Sequence, residues 1–268
     1  QKQQNYALRA NMTEAEFIEE VTDGLLPPPA YFGMNVAMNK KGIPSFSSVL
    51  NTGMKAINVV DFEQLVDDSG ALILDTRNAS DFSKGFVPQS INIGISGDFA
   101  PWVGALIADV NQPIVLVTDF GKEEETVTRL SRVGFDKVLG HLKGGFDAWQ
   151  SAGFDVDSVN RITAAEFEKE VKIGESKVID IRRESEYESE HIEDAYSKPL
   201  AYINEWVKDI NPSVHFFMHC AGGYRSMIAA SILQARGYRN FSEIEGGFNA
   251  IATTSLPKTD FMCASKVL

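Results

Sequence analysis

A cysteine in a glycine-containing loop carries the reactive chemistry that this sequence suggests. Cys220 lies between an apolar segment at residues 214–218, which predicts a buried strand, and another at 227–233, which predicts a helix. A cysteine at the start of a helix is close to unpaired backbone N–H groups and to the positive end of the helix dipole. Both favour the thiolate, which is the reactive form of cysteine. We therefore predict that Cys220 is a nucleophile.

The rest of this loop predicts a cradle for an anion. Gly222 and Gly223 allow the backbone to curl so that successive N–H groups point inward. Arg225 adds a fixed positive charge. The residues that we expect to bind the group that Cys220 attacks or carries are Ala221, Gly222, Gly223, Tyr224, Arg225 and Ser226.

Composition limits the class of protein. A chain of 268 residues that is 44% hydrophobic and 23% charged is typical of one or two globular domains. A net charge of −12 argues against nucleic acid and against an anionic membrane as partners. No apolar run approaches the roughly 20 residues that span a bilayer. Two cysteines, Cys220 and Cys263, are too few for a disulfide framework, which predicts a reducing, cytoplasmic location.

The elements that must position the loop occur twice in the chain. Four features recur after about 100 residues. They are helix patterns at 60–66 and 165–171, strands at 71–77 and 177–182, strands at 114–118 and 214–218, and Gly-Gly-Phe segments at 144–148 and 246–250. Apolar strands that alternate with helical segments predict an α/β fold. We expect two copies, at residues 53–156 and 157–268, each a mainly parallel sheet covered by helices on both faces.

Residues 1–52 differ in texture and predict an N-terminal arm with one short helix. Thr13 and Glu16 have the spacing of a capping box ahead of that helix, Gly24 ends it, and the prolines at 27–29 enforce an extended path.

The corresponding loop of the first copy lacks the reactive groups. Asp119 stands in the place of the nucleophile and Glu124 in the place of the arginine, between Glu123 and Glu125. A carboxylate cannot replace a thiolate as the nucleophile proposed here, and this acidic cluster repels an anion. We predict that the first copy is catalytically inactive.

The two copies resemble tandem domains of the rhodanese (sulfurtransferase) family. The resemblance rests on the Cys220 loop, on Asp180-Ile181-Arg182, on the segments at 187–195 and 84–93, and on the closing Gly-Gly-Phe segments. It implies that a sulfane sulfur passes from thiosulfate or a small-thiol persulfide to a thiol acceptor through a persulfide on Cys220. Arg182 is a second candidate for donor binding, although a structural ion pair with Asp180 is an alternative.

Segments of residues 1–52 resemble the end of a metallo-β-lactamase-fold module of the kind fused to tandem rhodanese domains in persulfide dioxygenase-like proteins. That resemblance implies such a module as a partner, and the arm as its remnant. The metal motif of the module is absent, and the histidines show no matching arrangement, so we predict no metal and no cofactor. The histidines are His141, His191, His215 and His219. The residue types leave the oligomeric state open.

Two other functions remain open. The tandem domains could be a docking or sulfur-relay module for a persulfide dioxygenase-type partner rather than an autonomous enzyme. A phosphatase or arsenate reductase of related fold is the second alternative, but those loops hold one more residue than the four between Cys220 and Arg225. We expect His219 to be a packing residue and Cys263 to take no part in the reaction.

Overall fold

Two parallel five-stranded sheets, formed one after the other along the chain, are the framework of the protein. The computed structural model describes residues 12–22, 32–33, 36–37, 40, 42 and 45–262. The strands of the first sheet are β1 (Ala56–Ile57), β2 (Leu72–Asp75), β3 (Ile91–Asn92), β4 (Ile114–Val117) and β5 (Val138–Leu142). Those of the second are β6 (Arg161–Ile162), β7 (Lys177–Asp180), β8 (Tyr196–Ser197), β9 (Phe216–His219) and β10 (Phe241–Ile244).

The sheets share one topology. The strand order is β1-β5-β4-β2-β3 in the first and β6-β10-β9-β7-β8 in the second, and every pairing within them is parallel. Each strand of the second sheet therefore has a counterpart in the first. The predicted α/β class and the predicted duplication are confirmed.

Helices precede or follow most of these strands in both copies. Those of the N-terminal region and the first copy are α1 (Glu14–Thr22), α2 (Phe46–Gly53), α3 (Val59–Ser69), α4 (Ala79–Lys84), α5 (Phe99–Leu106), α6 (Glu123–Ser131) and α7 (Gly145–Ser151). Those of the second copy are α8 (Ala164–Glu170), α9 (Glu184–Ser189), α10 (Ile203–Trp206), α11 (Tyr224–Ala235) and α12 (Gly247–Ile251), with 3-10 turns at Leu200–Tyr202 and Val207–Asp209.

The central strands are buried on both faces. All four residues of β4 and all four of β9 are buried, which explains why both read as continuous apolar runs. The predicted strand at 214–218 begins later, at Phe216. Val214 is 47% exposed and lies in the preceding turn. An apolar residue type does not by itself ensure burial, so the apolar run overestimates the length of the strand.

The N-terminal region contains the predicted short helix. Thr13 and Glu16 form the capping box ahead of α1, with the Thr13 backbone N–H and hydroxyl both donating to the Glu16 carboxylate at 2.8 Å. The residue predicted to end this helix, Gly24, and the prolines at 27–29 lie outside the described residues.

Helix α2 packs on the first copy rather than standing apart from it. A Cβ added to Gly53 would lie 2.7 Å from Cγ2 of Val127, on α6, so the two helices are in close contact. The predicted boundary after residue 52 therefore runs through a helix that the first copy holds.

The two copies form one packed body. The backbone N–H of Asn92, on edge strand β3, donates to Oγ of Ser231 on α11 at 2.9 Å, so the second copy covers this edge of the first sheet. Buried apolar side chains from both copies form one cluster, which includes Ile93, Phe99, Met227 and Ile228.

Candidate active site

Cys220 follows the last residue of β9, at the carboxyl edge of the second sheet, where ligands of parallel sheets bind. Its side chain is 1% exposed. The sulfur accepts hydrogen bonds from the backbone N–H of Gly223 at 3.0 Å and from the hydroxyl of Ser226 at 3.4 Å. Hydrogen-bond donors that face a sulfur favour its anionic form.

Glycine is required at two positions around the loop. Gly223 has φ of 99°, in the left-handed region, and an added Cβ would lie 3.0 Å from Nη2 of Arg161. A Cβ on Gly247, with φ of 54°, would collide with the Cys220 carbonyl oxygen. That oxygen instead accepts from the N–H of Phe248 at 2.6 Å, which fastens the loop to α12.

The N–H groups of Ala221 and Gly222 donate to no protein atom within the described part of the chain. The carbonyl oxygen of Ala221 accepts a hydrogen bond from the N–H of Asn249 at 3.0 Å, which fixes this peptide. Gly222 is exposed. Both donors remain free for a ligand, as the cradle requires.

Tyr224 points away from the loop and into the first copy. Its hydroxyl donates to the carbonyl oxygen of Gly94 at 2.8 Å. A Cβ on Gly97 would collide with the Tyr224 ring, so the ring fits closely against the first copy. Burial raises the pKa of Tyr224, which keeps the hydroxyl protonated as a donor. The predicted donor-binding residue thus lies at the contact between the copies.

Arg225 is held by Glu186, a residue of α9 that the sequence analysis did not single out. Nη1 and Nη2 of Arg225 donate to Oε2 and Oε1 of Glu186 at 2.6 and 2.8 Å. This pairing raises the pKa of Arg225 and lowers the pKa of Glu186. The fixed positive charge of the loop is therefore balanced within the protein.

Arg182 is buried and bound to Asp180. Its backbone N–H and its Nε both donate to Oδ1 of Asp180 at 3.0 Å, and Nη2 donates to the carbonyl oxygen of Glu190 at 2.7 Å. Arg77 and Asp75 form the same pair in the first copy, with Nη2 of Arg77 donating to Oδ2 at 2.6 Å. A contact that is also present in the copy without a cysteine favours the structural alternative for Arg182.

His219 is fully buried, and burial lowers its pKa, so the imidazole is neutral. Its Nδ1 lies 3.2 Å from the Cys220 carbonyl oxygen and 4.0 Å from Oδ1 of Asp180. Its Nε2 is buried without a hydrogen-bond partner among the described residues, and the packing role stays a prediction.

A buried polar chain extends from the sulfur to Glu243 and Arg161. The hydroxyl of Ser226 lies 2.5 Å from Oε1 of Glu243, and Nε of Arg161 lies 2.7 Å from Oε2. Burial raises the pKa of Glu243 to about 7. Neither residue is singled out by sequence alone, because a Ser and a Glu lie between the apolar residues of β10 as they would in a half-exposed strand, whereas all four of its residues are buried.

The first-copy loop differs from the predicted alignment. Asp75 pairs with Val117 as Asp180 pairs with His219, so strand register puts Thr118, not Asp119, at the Cys220 position. Three residues further on, Gly121 (φ 81°) and Gly223 (φ 99°) are both in the left-handed region, so the two loops have the same length up to these glycines.

The same register places Glu123, one residue before the predicted Glu124, at the Arg225 position. Phe120, in the same loop, is fully exposed. In the first copy, the cysteine and the arginine are thus both replaced.

Within the described residues, no group of three or more His, Cys, Asp or Glu side chains could hold a metal ion. None of the described helices is both long and apolar enough to cross a membrane.

Known proteins resemble this chain in each of its two copies. The family model "Rhodanese-like domain" matches residues 58–152 and 163–254. The protein YibN of Escherichia coli is 31% identical over 108 residues, which cover 40% of this chain and 74% of YibN. Thiosulfate sulfurtransferase GlpE of Pseudomonas savastanoi is 27% identical over 89 residues, which cover 33% of this chain and 80% of GlpE.

Among solved structures, a rhodanese-like domain protein from Staphylococcus aureus matches with 26% identity and a TM-score of 0.33. The match covers 37% of this chain and 97% of that one.

Proposed function

Because the chain belongs to the family of rhodanese-like domains, with one at residues 58–152 and another at 163–254, we propose that it is a sulfurtransferase that acts through Cys220. The observation that carries the proposal is the position of the Cys220 sulfur, 3.0 Å from the Gly223 N–H at the carboxyl edge of the sheet. The relationship to GlpE, named as a thiosulfate sulfurtransferase, supports the reaction class.

The proposed reaction is a double displacement. The Cys220 thiolate attacks the outer sulfur of the donor. A new S–S bond forms to Cys220, the donor's own S–S bond breaks, and its electron pair leaves with the remainder of the donor. An acceptor thiolate then attacks the outer sulfur of the persulfide and regenerates the Cys220 thiolate. The free N–H groups of Ala221 and Gly222 stabilise negative charge on the transferred sulfur.

The charge of the site favours a small-thiol persulfide over thiosulfate. Thiosulfate carries two negative charges, whereas Glu186 already balances the charge of Arg225. Ala221 adds no positive charge beside the nucleophile. A donor of lower charge therefore suits this loop better.

The same ion pair argues against a phosphatase. A phosphate monoester would need the guanidinium of Arg225, whose Nη1 and Nη2 both donate to Glu186. Four residues separate Cys220 from Arg225, one fewer than in the related phosphatases, and this tighter loop favours sulfur transfer.

A relay function within a larger assembly is the second candidate. Phe120 is fully exposed on the loop of the first copy that corresponds to the Cys220 loop, so a partner could contact an apolar ring there. The metallo-β-lactamase-fold partner rests on the resemblance of residues 1–52 alone, since the family match begins at residue 58.

The test compares the intact chain with Cys220→Ser. We expect the intact chain to transfer sulfur from a small-thiol persulfide to a thiol acceptor, and the variant to transfer none. If the variant transfers sulfur, Cys220 is not the carrier. If neither transfers sulfur alone, but the intact chain does so with a persulfide dioxygenase-type partner, the relay candidate replaces the autonomous enzyme.

A further inference from the structure

Ser226 connects the nucleophile to a buried acid that the proposed reaction does not use. Its side chain and that of Glu243 are fully buried, and Cys220 is 1% exposed. Oγ of Ser226 lies 3.4 Å from the sulfur and 2.5 Å from Oε1 of Glu243. A serine hydroxyl has a single hydrogen, so it can donate to the sulfur or to the carboxylate but not to both at once.

We propose that Ser226 and Glu243 are positioning residues for the Cys220 sulfur, with Glu243 setting whether the Ser226 hydroxyl donates to the sulfur or away from it. This inference rests on the proposed role of Cys220 as the nucleophile. When Glu243 is ionised, the hydroxyl donates to the carboxylate, and a lone pair of Oγ faces the sulfur. When Glu243 is protonated, it donates to Oγ, and the Ser226 hydrogen is free to face the sulfur as a second donor beside the Gly223 N–H.

The charged groups around Glu243 determine which state is present. Arg161, from β6, pairs with Oε2 at 2.7 Å and favours the ionised form. Glu245 lies beyond it, with Oε1 at 3.4 Å from Nη1 of Arg161, and opposes ionisation. Burial is the largest influence and raises the pKa of Glu243 to about 7, so both states are populated near neutral pH.

The inactive copy provides an internal comparison. Sheet register places His141 at the Glu243 position and Ala56 at the Arg161 position. The pairing of Asp75 with Val117 and of Asp180 with His219 places Glu124 at the Ser226 position. The nucleophile and the three hydrogen-bonded residues behind it, Ser226, Glu243 and Arg161, are therefore all replaced in the first copy. We expect this if these three residues position the sulfur and are not needed for the fold.

The experiment is a pH titration of the thiolate ultraviolet absorbance. Cys263→Ser leaves Cys220 as the single thiol of the chain. In Ser226→Ala, the second donor is lost, and we expect the thiolate-to-thiol ratio just above neutral pH to fall roughly fivefold. In Glu243→Gln, the amide oxygen faces Arg161 and the amide N–H₂ donates to Ser226. The hydroxyl then faces the sulfur at every pH, and we expect the ratio to rise by a similar factor.

The double variant separates this coupling from two independent effects. Glu243 acts through Ser226, so Ser226→Ala with Glu243→Gln should titrate like Ser226→Ala alone. The matched control is Ser242→Ala. Ser242 is a neighbour on the same strand, and its buried hydroxyl contacts Asn160 at 2.8 Å and His215 at 3.0 Å instead of the sulfur. It should titrate like the parent chain.

If the substitutions only damage the structure, the thiolate-to-thiol ratio should change in the same direction in Ser226→Ala and Glu243→Gln. That result would overturn the proposal. An unchanged Glu243→Gln titration, or a Glu243→Gln effect that persists without Ser226, would do the same. No sulfur donor enters the titration, so its result is independent of whether the chain proves to be a sulfurtransferase.

Discussion

Arg225 and Glu186 form a doubly hydrogen-bonded ion pair beside the Cys220 loop, with N–O distances of 2.6 and 2.8 Å. The partners come from α11 and α9, which are 39 residues apart in sequence. The pair gives the guanidinium a fixed orientation and removes most of its net charge from the site. We therefore expect Glu186 to influence donor choice as much as Arg225 does.

Removal of this acid should change donor preference. In Glu186→Gln, the charge of Arg225 is no longer balanced, and we expect kcat/KM for thiosulfate to rise roughly tenfold while that for a small-thiol persulfide changes less. Steady-state transfer assays with both donors measure this ratio. Glu184→Gln on the same helix α9, at an exposed position, is the control. An unchanged ratio in Glu186→Gln would show that Glu186 does not govern donor choice.

The buried pair of Arg182 and Asp180 should contribute to stability. Arg182→Met leaves Asp180 buried without its cation, which costs about 3 kcal/mol of unfolding free energy. The matched surface pair, Arg239 with Asp157, joins side chains that are 56% and 20% exposed, and Arg239→Met should cost less than about 1 kcal/mol. Urea denaturation compares the two variants. Equal losses would contradict a structural role for Arg182.

Much of the fold could be predicted from sequence because its parallel strands are short apolar runs that recur at a near-constant separation. The errors have physical causes. Val214 is apolar but exposed, so the apolar run overstated β9. In the first loop, neither the cysteine nor the arginine remains to anchor an alignment. Only the pairing of Asp75 with Val117 shows that Thr118 takes the Cys220 position.

The Cys220 loop itself was predictable, but its supports were not. Glu186, Glu243 and Arg161 reach the loop from other strands and helices, and Arg161 and Glu243 are 82 residues apart. The place of Tyr224 in the loop predicts a donor-binding residue. In the structure, the ring instead packs against Gly97 of the first copy, and its hydroxyl donates to the carbonyl oxygen of Gly94. The sequence of the loop alone does not show these partners.

Glu243 should make stability depend on pH. Its pKa rises from an ordinary value of 4.5 to about 7 in the folded chain, so the folded state holds a proton that the unfolded state releases. This contribution is complete below pH 4.5 and is lost as pH rises through about 7. Relative to Glu243→Gln, the intact chain should lose about 3 kcal/mol of unfolding free energy across that range. Urea denaturation at several pH values tests this, and parallel curves would contradict it.

The contact of Tyr224 with the first copy should support the loop. Tyr224→Phe removes the hydrogen bond to the Gly94 carbonyl oxygen and should lower the unfolding free energy by about 1 kcal/mol. Gly97→Ala displaces the ring itself and should reduce sulfur transfer more than Tyr224→Phe does. Denaturation and transfer assays measure both effects. Full transfer activity in Gly97→Ala would show that the first copy does not support the loop.

The central claim, that Cys220 carries the sulfur, is tested most directly by the mass of the protein after exposure to a small-thiol persulfide and removal of the excess. We expect that the chain gains one sulfur atom, that peptide mapping places it on Cys220, and that a thiol acceptor removes it. Cys220→Ser should gain none. A sulfur located on Cys263, or an equal gain in Cys220→Ser, would show that Cys220 is not the carrier.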